Sequence, residues 1–600
     1  MKKILTRDEV KVSETWDLTR LFKTEDDYLN TLDEISVLVK KFVLKYKDKL
    51  NSSDIILSSI KEYEEISKLI NYTSNYQSLH SSVDQNSLKN LERSGNYSIY
   101  INQISSELVF YMSELLNTDD NVLLGVKKLD NSFNNFIEQI IKDKKHKLSD
   151  ELEAALTKLN PVLNAPYGNY NSFKFGDMKF KDFKVNNETY PNSFTMFENE
   201  WSYELDHQIR RKAFESFYED LSKYQTGFGS NYQTQILKEK ALSGLKNFNN
   251  TTEYLLYSQD VTVEMYNRQI DLIMKHLSEP MQKYANLIKE IHNLDEITFA
   301  DLNLSIDPSY EPTVTIKEAK DYSVNALKVF GEEYKQMVID AFDNRWIDFP
   351  QNTGKSTGGF CSSPYQKGSY ILLNWNSQMN ETFVLAHELG HAGHFYFSSK
   401  HQNLYNNRGS TYFIEAPSTM NELILADYLS KEKDDLRFRR YVLSNIISRT
   451  YYHNFVTHLL EAHFQRDVYN LVDQNKPLNV NVLNDIKLNT LNTFWGGKVK
   501  VNDYAKLTWM RQPHYFMGLY PYTYSAGLTI STAAFKKIKS GELSYDSWVD
   551  VLKAGGSLSP LELAKMVDVD LKTDQPLLET IEYISDMIDE IIEITKKLNK

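Results

Sequence analysis

The chain has 600 residues and a formal net charge of −13, with 68 Lys and Arg against 81 Asp and Glu. The acidic balance disfavours a general nucleic-acid-binding protein, which needs a basic face, and 41% hydrophobic with 13% aromatic residues exclude disorder over most of the chain. Its single cysteine, Cys361, rules out an internal disulfide and a zinc site built on several cysteines. A reducing compartment is the simplest interpretation, and we expect a cytoplasmic protein.

Helices dominate the predicted secondary structure because the chain has only 22 Gly and 14 Pro. No run of 18 apolar residues occurs, which predicts no membrane span. The start of the chain, residues 1–9, is basic but lacks an apolar segment, which predicts no signal peptide. We therefore expect neither nucleic acid nor membrane among its partners.

The N-terminal third reads as helical from about residue 25 to 155, with polar interruptions near 51–53 and 117–120. Aromatic and polar residues then alternate over 172–195, which predicts a short hairpin region. We place a domain boundary near 195. The chain is thus divided into an N-terminal helical lobe, 1–195, and a second region, 196–600.

The second region is again mostly helical. Ile270, Ile273, Met274 and Leu277 follow the i, i+3, i+4, i+7 spacing of one helix face, and 584–592 repeats it. Residues 350–376 lack this pattern and contain several glycines. Within them 369–375 reads as a strand, so we expect a small β element there.

A metal-binding motif follows directly, because residues 387–391 read His-Glu-Leu-Gly-His. On an α-helix, residues four apart project from one face. His387 and His391 can therefore bind one Zn²⁺. Glu388, beside the first ligand, is placed to take a proton from an attacking water. Gly390 weakens a helix, so we expect close packing at that point.

A catalytic zinc needs a third protein ligand. The metzincin extension requires Gly at 394 and His at 397, but this chain has His394 and Phe397, so that class is excluded. The other common third ligand is a carboxylate at the start of a later helix. Glu415, 24 residues after His391, fits this pattern. Glu422, two turns further on, is predicted to orient a ligand imidazole. His394 is expected to support the site or the core rather than bind metal.

Two further stretches resemble functional motifs and are interpreted as structural. Gly354-Lys355-Ser356 resembles the end of a P-loop, but Phe349 stands where the first Gly is required. His458, Glu461 and His463 resemble an inverted zinc motif, but the second His lies one place late, so the two imidazoles point in different directions.

A cluster of polar-tipped rings lies near the C-terminus, including His514, Tyr515, Tyr522 and Tyr524, with Gly and Pro between them. This composition predicts a loop. In a metallohydrolase such phenol and imidazole donors can stabilise a tetrahedral oxyanion. An aromatic packing cluster in a tyrosine-rich protein is the alternative interpretation.

Together these features resemble the M3 family of zinc metallopeptidases, close to the oligoendopeptidase F group. The zinc motif alone is shared with many peptidases, whereas its combination with Glu-Ala-Pro-Ser at this spacing is far more specific. The likeness spans nearly the whole chain. It rests on Trp16–Leu18, Gly358–Cys361, Ile371–Asn374, Ala386–His394, Glu415–Ser418, His514–Tyr524 and Ser559–Asp570.

The resemblance implies a mostly α, two-lobed fold of the gluzincin type, with a deep channel that admits unstructured oligopeptides and has zinc at its floor. One Zn²⁺ would be held by His387, His391 and Glu415, with Glu388 as the general base. His514 and one or more of Tyr515, Tyr522 and Tyr524 would bind the scissile carbonyl or oxyanion. The strand near 369–375 would pair with the substrate backbone.

Three functions are compared. The first is a zinc endopeptidase acting on oligopeptides. The second is a non-catalytic helical peptide-binding protein, which is disfavoured because Glu388 and all three ligand candidates are intact. The third is an exopeptidase similar to a dipeptidyl carboxypeptidase, which needs a group to hold the terminal carboxylate, and the sequence shows no unambiguous one.

Overall fold

The structure is a computed structural model that describes residues 5–599, and it is mostly α-helical, as predicted. Residues 1–4, part of the segment from which we predicted no signal peptide, lie outside the described residues, as does residue 600. Between residues 5 and 599, no helix combines the length and apolar character needed to cross a membrane.

The first part of the chain consists of seven helices, a two-stranded hairpin and four further helices. The seven helices are α1 (Glu25–Tyr46), α2 (Ser53–Val83), α3 (Leu88–Asn117), α4 (Asp120–Leu129), α5 (Asn134–Asp143), α6 (Asp150–Leu163) and α7 (Ala165–Ser172). They are followed by β1 (Phe183–Val185), β2 (Glu188–Tyr190), α8 (Phe194–Asn199), α9 (His207–Ser222), α10 (Gln225–Leu245) and α11 (Thr251–Tyr257).

The rest of the chain contains a small sheet between two groups of helices. The first group and the sheet are α12 (Val263–His276), α13 (Ser278–Ile291), α14 (Ile316–Leu327), α15 (Glu332–Asp343), β3 (Ile347–Asp348), β4 (Phe360–Ser362) and β5 (Tyr370–Leu372). The second group is α16 (Met379–His401), α17 (Ala416–Glu432), α18 (Leu436–Asn445), α19 (His458–Asp473), α20 (Val480–Trp495), α21 (Pro521–Ser540), α22 (Tyr545–Ala554), α23 (Pro560–Met566) and α24 (Gln575–Leu598). A π-helix, Ile446–Thr457, joins α18 to α19.

Separate apolar cores hold these helices together. One lies among α1–α5, and a larger one extends from Tyr170 to Ile591. A third, smaller cluster joins the N-terminal helices to the sheet, because Trp16 and Tyr76 pack with Tyr370 and Leu372 of β5. The domain boundary near 195 stays a prediction.

Both amphipathic patterns are confirmed as helices. Ile270, Ile273 and Leu277 are fully buried on and just after α12. Ile584, Met587, Ile588 and Ile591 are buried on α24. The hairpin is also confirmed, since β1 and β2 pair antiparallel, although 173–177 before them is helical.

The predicted strand near 369–375 is present as β5, but its predicted role is wrong. The sheet has the order β3-β5-β4, with Ile347–Asp348 parallel to β5 on one side and Phe360–Ser362 antiparallel to it on the other. Both edges of β5 are therefore occupied by protein strands, and it cannot accept another strand. The edge strands of this sheet are β3 and β4, and β4 packs against α16.

Candidate metal centre and active site

The centre of the site lies where α16 meets the start of α17. His387 and His391 stand one turn apart on α16, with ring centroids 5.0 Å apart. Glu415 immediately precedes α17. Its Oε2 lies 3.3 Å from His387 Nε2 and 3.4 Å from His391 Nε2. The structure thus brings together the three side chains that the sequence predicts as ligands.

Their spacing fits a small tetrahedral cation. Donors bound to zinc at about 2.0–2.1 Å in tetrahedral geometry lie about 3.3 Å from each other. The two nitrogen–oxygen distances match that value, and two imidazoles with one carboxylate are the donor set of a catalytic zinc site with an open position. The three donor atoms all lie within 4.8 Å of one another.

Glycines allow the helix carrying Glu415 to approach this closely. A Cβ at Gly390 of α16 would lie 2.5 Å from the carbonyl oxygen of Pro417. On the opposite side, a Cβ at Gly527 of α21 would lie 2.8 Å from the backbone nitrogen of Ala416. Since backbone atoms cannot yield to a new methyl group, the packing expected at Gly390 is confirmed.

Neighbouring polar groups orient the ligands. Glu422 Oε1 lies 2.7 Å from His387 Nδ1, as predicted, and the hydroxyl of Thr450 donates to the other oxygen of Glu422. Ser418 Oγ donates to Glu415 Oε2 at 2.9 Å. Although burial opposes it, the two adjacent imidazoles hold the pKa of Glu415 well below its usual range. The carboxylate is therefore a ready ligand for a cation.

Glu388 is only 5% exposed and projects from α16 beside the first imidazole. Burial raises the pKa of its carboxyl, an effect that the neighbouring imidazoles oppose. Its Oε1 lies 3.3 Å from the position that a Cβ would occupy at Gly359, just before β4. The edge strand β4 therefore begins next to the carboxyl of Glu388, the candidate general base.

His394 lies in the core, in agreement with prediction. It is 1% exposed, and neither ring nitrogen has a hydrogen-bond partner. Its neighbours are the rings of Phe395 and Phe413. Burial lowers its pKa to about 3. It is not part of the metal-binding group formed by the other two histidines.

The C-terminal ring cluster is a loop only in part, since residues 517–520 are irregular, whereas Pro513–Phe516 forms a short 3₁₀ helix and Pro521 begins α21. Tyr524, in the first turn of that helix, has its hydroxyl 3.5 Å from His514 Nε2. Tyr520 completes the group, with its ring centroid 5.3 Å from that of Tyr524. Burial and the nearby Glu415 carboxylate raise the pKa of Tyr520 to about 12. Tyr520 and Tyr524 therefore lie within electrostatic reach of the candidate ligand Glu415, and His514 joins them through its contacts with both rings.

Tyr515 and Tyr522 point elsewhere. The hydroxyl of Tyr522 is fully buried and donates to Gln259 Oε1 at 2.5 Å. Tyr515 is 1% exposed, and its ring stacks on Tyr232, 5.4 Å away. These two phenols therefore belong to the core, and the structure does not bring them into the group formed by His514, Tyr520 and Tyr524.

Sequence reasoning missed three residues of this region. The first is Tyr520. It lies four residues before Tyr524 at the start of a Pro-initiated helix, and this spacing indicates that the two rings share one helix face. His458 and Glu461 were dismissed together with His463. Their i, i+3 spacing places them on one side of α19, and Glu461 Oε2 lies 2.8 Å from His458 Nδ1.

A cavity of about 550 Å³ adjoins Tyr520. It lies between N-terminal helices and the second region, since residues of α3, α5 and α6 face residues of α11 and 517–520 across it. Its apolar wall consists of Phe248, Tyr254, Leu255, Tyr257, Met517 and Tyr520. An apolar surface therefore adjoins Tyr520.

Most of the chain matches a known protein family. Residues 201–583 match the model of peptidase family M3. The chain belongs to peptidase family M3. A second model, oligopeptidase F, matches residues 114–180. The resemblance inferred from the sequence is thus confirmed, and this M3 chain is a peptidase whose substrates are peptides.

The relatives and a solved structure agree over the full length of this M3 peptidase. It is 26% identical to oligopeptidase PepF of Bacillus subtilis, over 99% of this chain and 89% of that one. It is 26% identical to an oligoendopeptidase F homologue of Borreliella burgdorferi, over 98% and 100% of the two chains. The solved oligoendopeptidase F of Enterococcus faecium matches with a TM-score of 0.74 at 21% identity, over 96% and 99% of the two chains, and so shares the fold.

Proposed function

We propose that this protein is a zinc-dependent endopeptidase that hydrolyses internal bonds of short, unstructured oligopeptides in the cytoplasm. The observation that carries the proposal is the spacing of His387, His391 and Glu415, which matches tetrahedral coordination, next to the buried carboxyl of Glu388. Full-length relatives named oligopeptidase and oligoendopeptidase F support the substrate class. The single cysteine supports the location.

Each group then has a chemical role. Zinc held by the three ligands would supply Lewis-acid activation of a water and of the scissile carbonyl. Glu388 accepts the proton of the attacking water and returns it to the leaving amine. His514, Tyr520 and Tyr524 donate hydrogen bonds to the oxygen on which negative charge develops. Glu422 holds the orientation of His387.

The edge strand supplies an anchor for the substrate backbone. Because β5 is occupied on both sides, a peptide has to add to an edge strand, and of the two edge strands β4, Phe360–Ser362, is the one that packs against α16. That strand lies against the metal-binding helix, and Gly359 keeps the space next to Glu388 free of a side chain. Backbone pairing there would lay an extended peptide across the site without requiring a free terminus.

We expect selection by length rather than by terminal charge. A folded protein would have to unfold against a stability of about 5–15 kcal/mol before it could enter as a single strand. Peptides of about 6–20 residues should be cut internally, and folded proteins should not be cut. Mass spectrometry of products from a peptide series of graded length gives the measurement.

Blocked peptides provide the control for this prediction. Acetylation and amidation of the termini should leave internal cleavage intact, because pairing with β4 uses backbone groups. Stepwise trimming of free peptides, together with loss of cleavage after blocking, would instead establish the exopeptidase alternative.

Metal analysis tests the ligand assignment. Purified protein should contain one zinc per chain, and 1,10-phenanthroline should abolish cleavage. His387→Ala and Glu415→Ala should each lose most of the bound zinc, since each removes one of three protein ligands. The matched control is His207→Ala, at an exposed histidine of α9, which should keep its full metal content. Full zinc in either ligand variant would contradict the assignment of that residue.

A further inference from the structure

A buried carboxylate lies behind the candidate oxyanion donors. Glu461, on α19, is 1% exposed. Its Oε2 lies 2.8 Å from His458 Nδ1 and 3.6 Å from His514 Nδ1. The Nδ1 atom of His514 is buried and makes no hydrogen bond, so its contact with Glu461 is one between charge and ring rather than a hydrogen bond. Two imidazoles thus face a single carboxylate oxygen.

Both imidazoles also contact Tyr524. The ring of His458 stacks on that of Tyr524, with centroids 4.1 Å apart and planes 14° from parallel. His514 Nε2 faces the Tyr524 hydroxyl at 3.5 Å. His458 also forms a hydrogen bond with His453, whose Nε2 lies 2.9 Å from His458 Nε2. Glu461 therefore faces one candidate donor, His514, directly and reaches a second, Tyr524, through the ring of His458.

The charge of Glu461 determines where the protons lie. Although burial opposes it, His458 and His514 hold the pKa of Glu461 below its usual range. An ionised carboxylate only accepts hydrogen bonds, so a ring nitrogen that bonds to it carries the proton.

The distances favour hydrogen bonding over a second metal site at this cluster. Two ligands of one tetrahedral zinc lie about 3.3 Å apart. Glu461 Oε2 and His458 Nδ1 are closer than that, at 2.8 Å, whereas His514 Nδ1 is farther, at 3.6 Å. The first is the distance of a charge-assisted hydrogen bond.

We propose that Glu461 is a positioning residue. Its charge orients the ring of His514 across 3.6 Å, and its hydrogen bond to His458 holds the ring that stacks on Tyr524. This inference rests on the proposed function, because it assigns a purpose to oxyanion donors. Donors that are already oriented cost no reorganisation when charge develops, and that is where their catalytic benefit originates. Glu461 itself touches no substrate.

The test is a double-mutant cycle with Glu461→Gln and His514→Ala. Glu461→Gln keeps the shape but removes the charge, so kcat should fall by about 10–100-fold with KM within about two-fold and zinc retained. In the His514→Ala background the same replacement should cost less than about three-fold, because its effect passes mainly through His514. Additive losses would overturn the proposal.

Two further measurements separate positioning from simple structural support. Long-range ¹H–¹⁵N spectra of histidine-labelled protein, assigned with His514→Ala, should show that the ring-nitrogen signals of His514 move in Glu461→Gln relative to the wild type, because the charge facing Nδ1 is gone. The matched control is Glu239→Gln, a buried and hydrogen-bonded carboxylate of α10, which should leave the His514 signals and kcat unchanged. An unchanged His514 spectrum in Glu461→Gln would overturn the proposal.

A folding defect in Glu461→Gln would not end the test. His458→Phe keeps a ring stacked on Tyr524 but removes the bond to Glu461, and it should lower kcat without loss of zinc. A second zinc equivalent that is lost in Glu461→Gln would establish a metal site instead and overturn the proposal. An inactive wild-type protein would contradict the proposed function, whereas an active wild type with a fully active Glu461→Gln contradicts only this inference.

Discussion

Glu388→Gln is expected to abolish nearly all turnover, with a loss in kcat of about 10²-fold or more. The amide keeps the size of the carboxyl but accepts no proton. Burial raises the pKa of Glu388, which moves the base toward the pH at which it has to work. Since Glu388 is not one of the three ligands, zinc content should be unchanged.

The measurement is kcat at saturating peptide, together with metal content and melting temperature. Glu239→Gln again serves as a control, because Glu239 is equally buried but lies on α10, bonded to Tyr469 and Gln235. It should change the melting temperature at most. If Glu388→Gln kept near-normal kcat with zinc bound, the proton acceptor would have to be another group.

Much of the metal centre was predictable because its geometry is local. The spacing of His387 and His391 is set by the helical repeat, which any sequence reports directly. The helical repeat alone does not predict Glu415, since 24 residues separate it from His391 and only tertiary packing brings the two close. The Glu-Ala-Pro-Ser context supplied that information. The contact itself depends on Gly390, whose missing Cβ admits the backbone of α17.

The sheet could not be predicted to the same depth. The strand at Tyr370–Leu372 was visible in the sequence, but a strand's apolar pattern does not state which edges are occupied. Its partner Ile347–Asp348 has only two residues, too few to show any alternation. Because β5 is the central strand, the substrate pairing proposed above has to use an edge strand, and Phe360–Ser362 is the edge strand that packs against α16.

The tyrosines could not be told apart because the start of α21 within the predicted loop was missed. With 514–524 interpreted as a loop, no ring could be preferred over another. Once Pro521 begins a helix, Tyr522 and Tyr524 are two residues apart and so point about 200° apart. Tyr522 consequently enters the core, whereas Tyr520 and Tyr524, four apart, share the side that faces the metal ligands.

This geometry leads to the second large expected effect. Tyr524→Phe and His514→Ala should each lower kcat by about 10²–10³-fold, the usual loss when one oxyanion donor is removed. A donor that meets only developing charge stabilises the transition state more than bound peptide, so KM should change little. Zinc content should stay at one per chain, because neither residue belongs to the ligand group.

Tyr522→Phe is the comparison that makes this result specific. It removes a hydroxyl from the same helix, but one that donates to Gln259 inside the core. The expected result is a loss of about 1–3 kcal/mol in stability, because the oxygen of Gln259 is left buried without its partner, with kcat close to that of wild type. A large fall in kcat for Tyr522→Phe alongside normal kcat for Tyr524→Phe would reverse the assignment. It would require α21 to turn its opposite face to the substrate, which the contact between Gly527 and the backbone of Glu415 and Ala416 opposes.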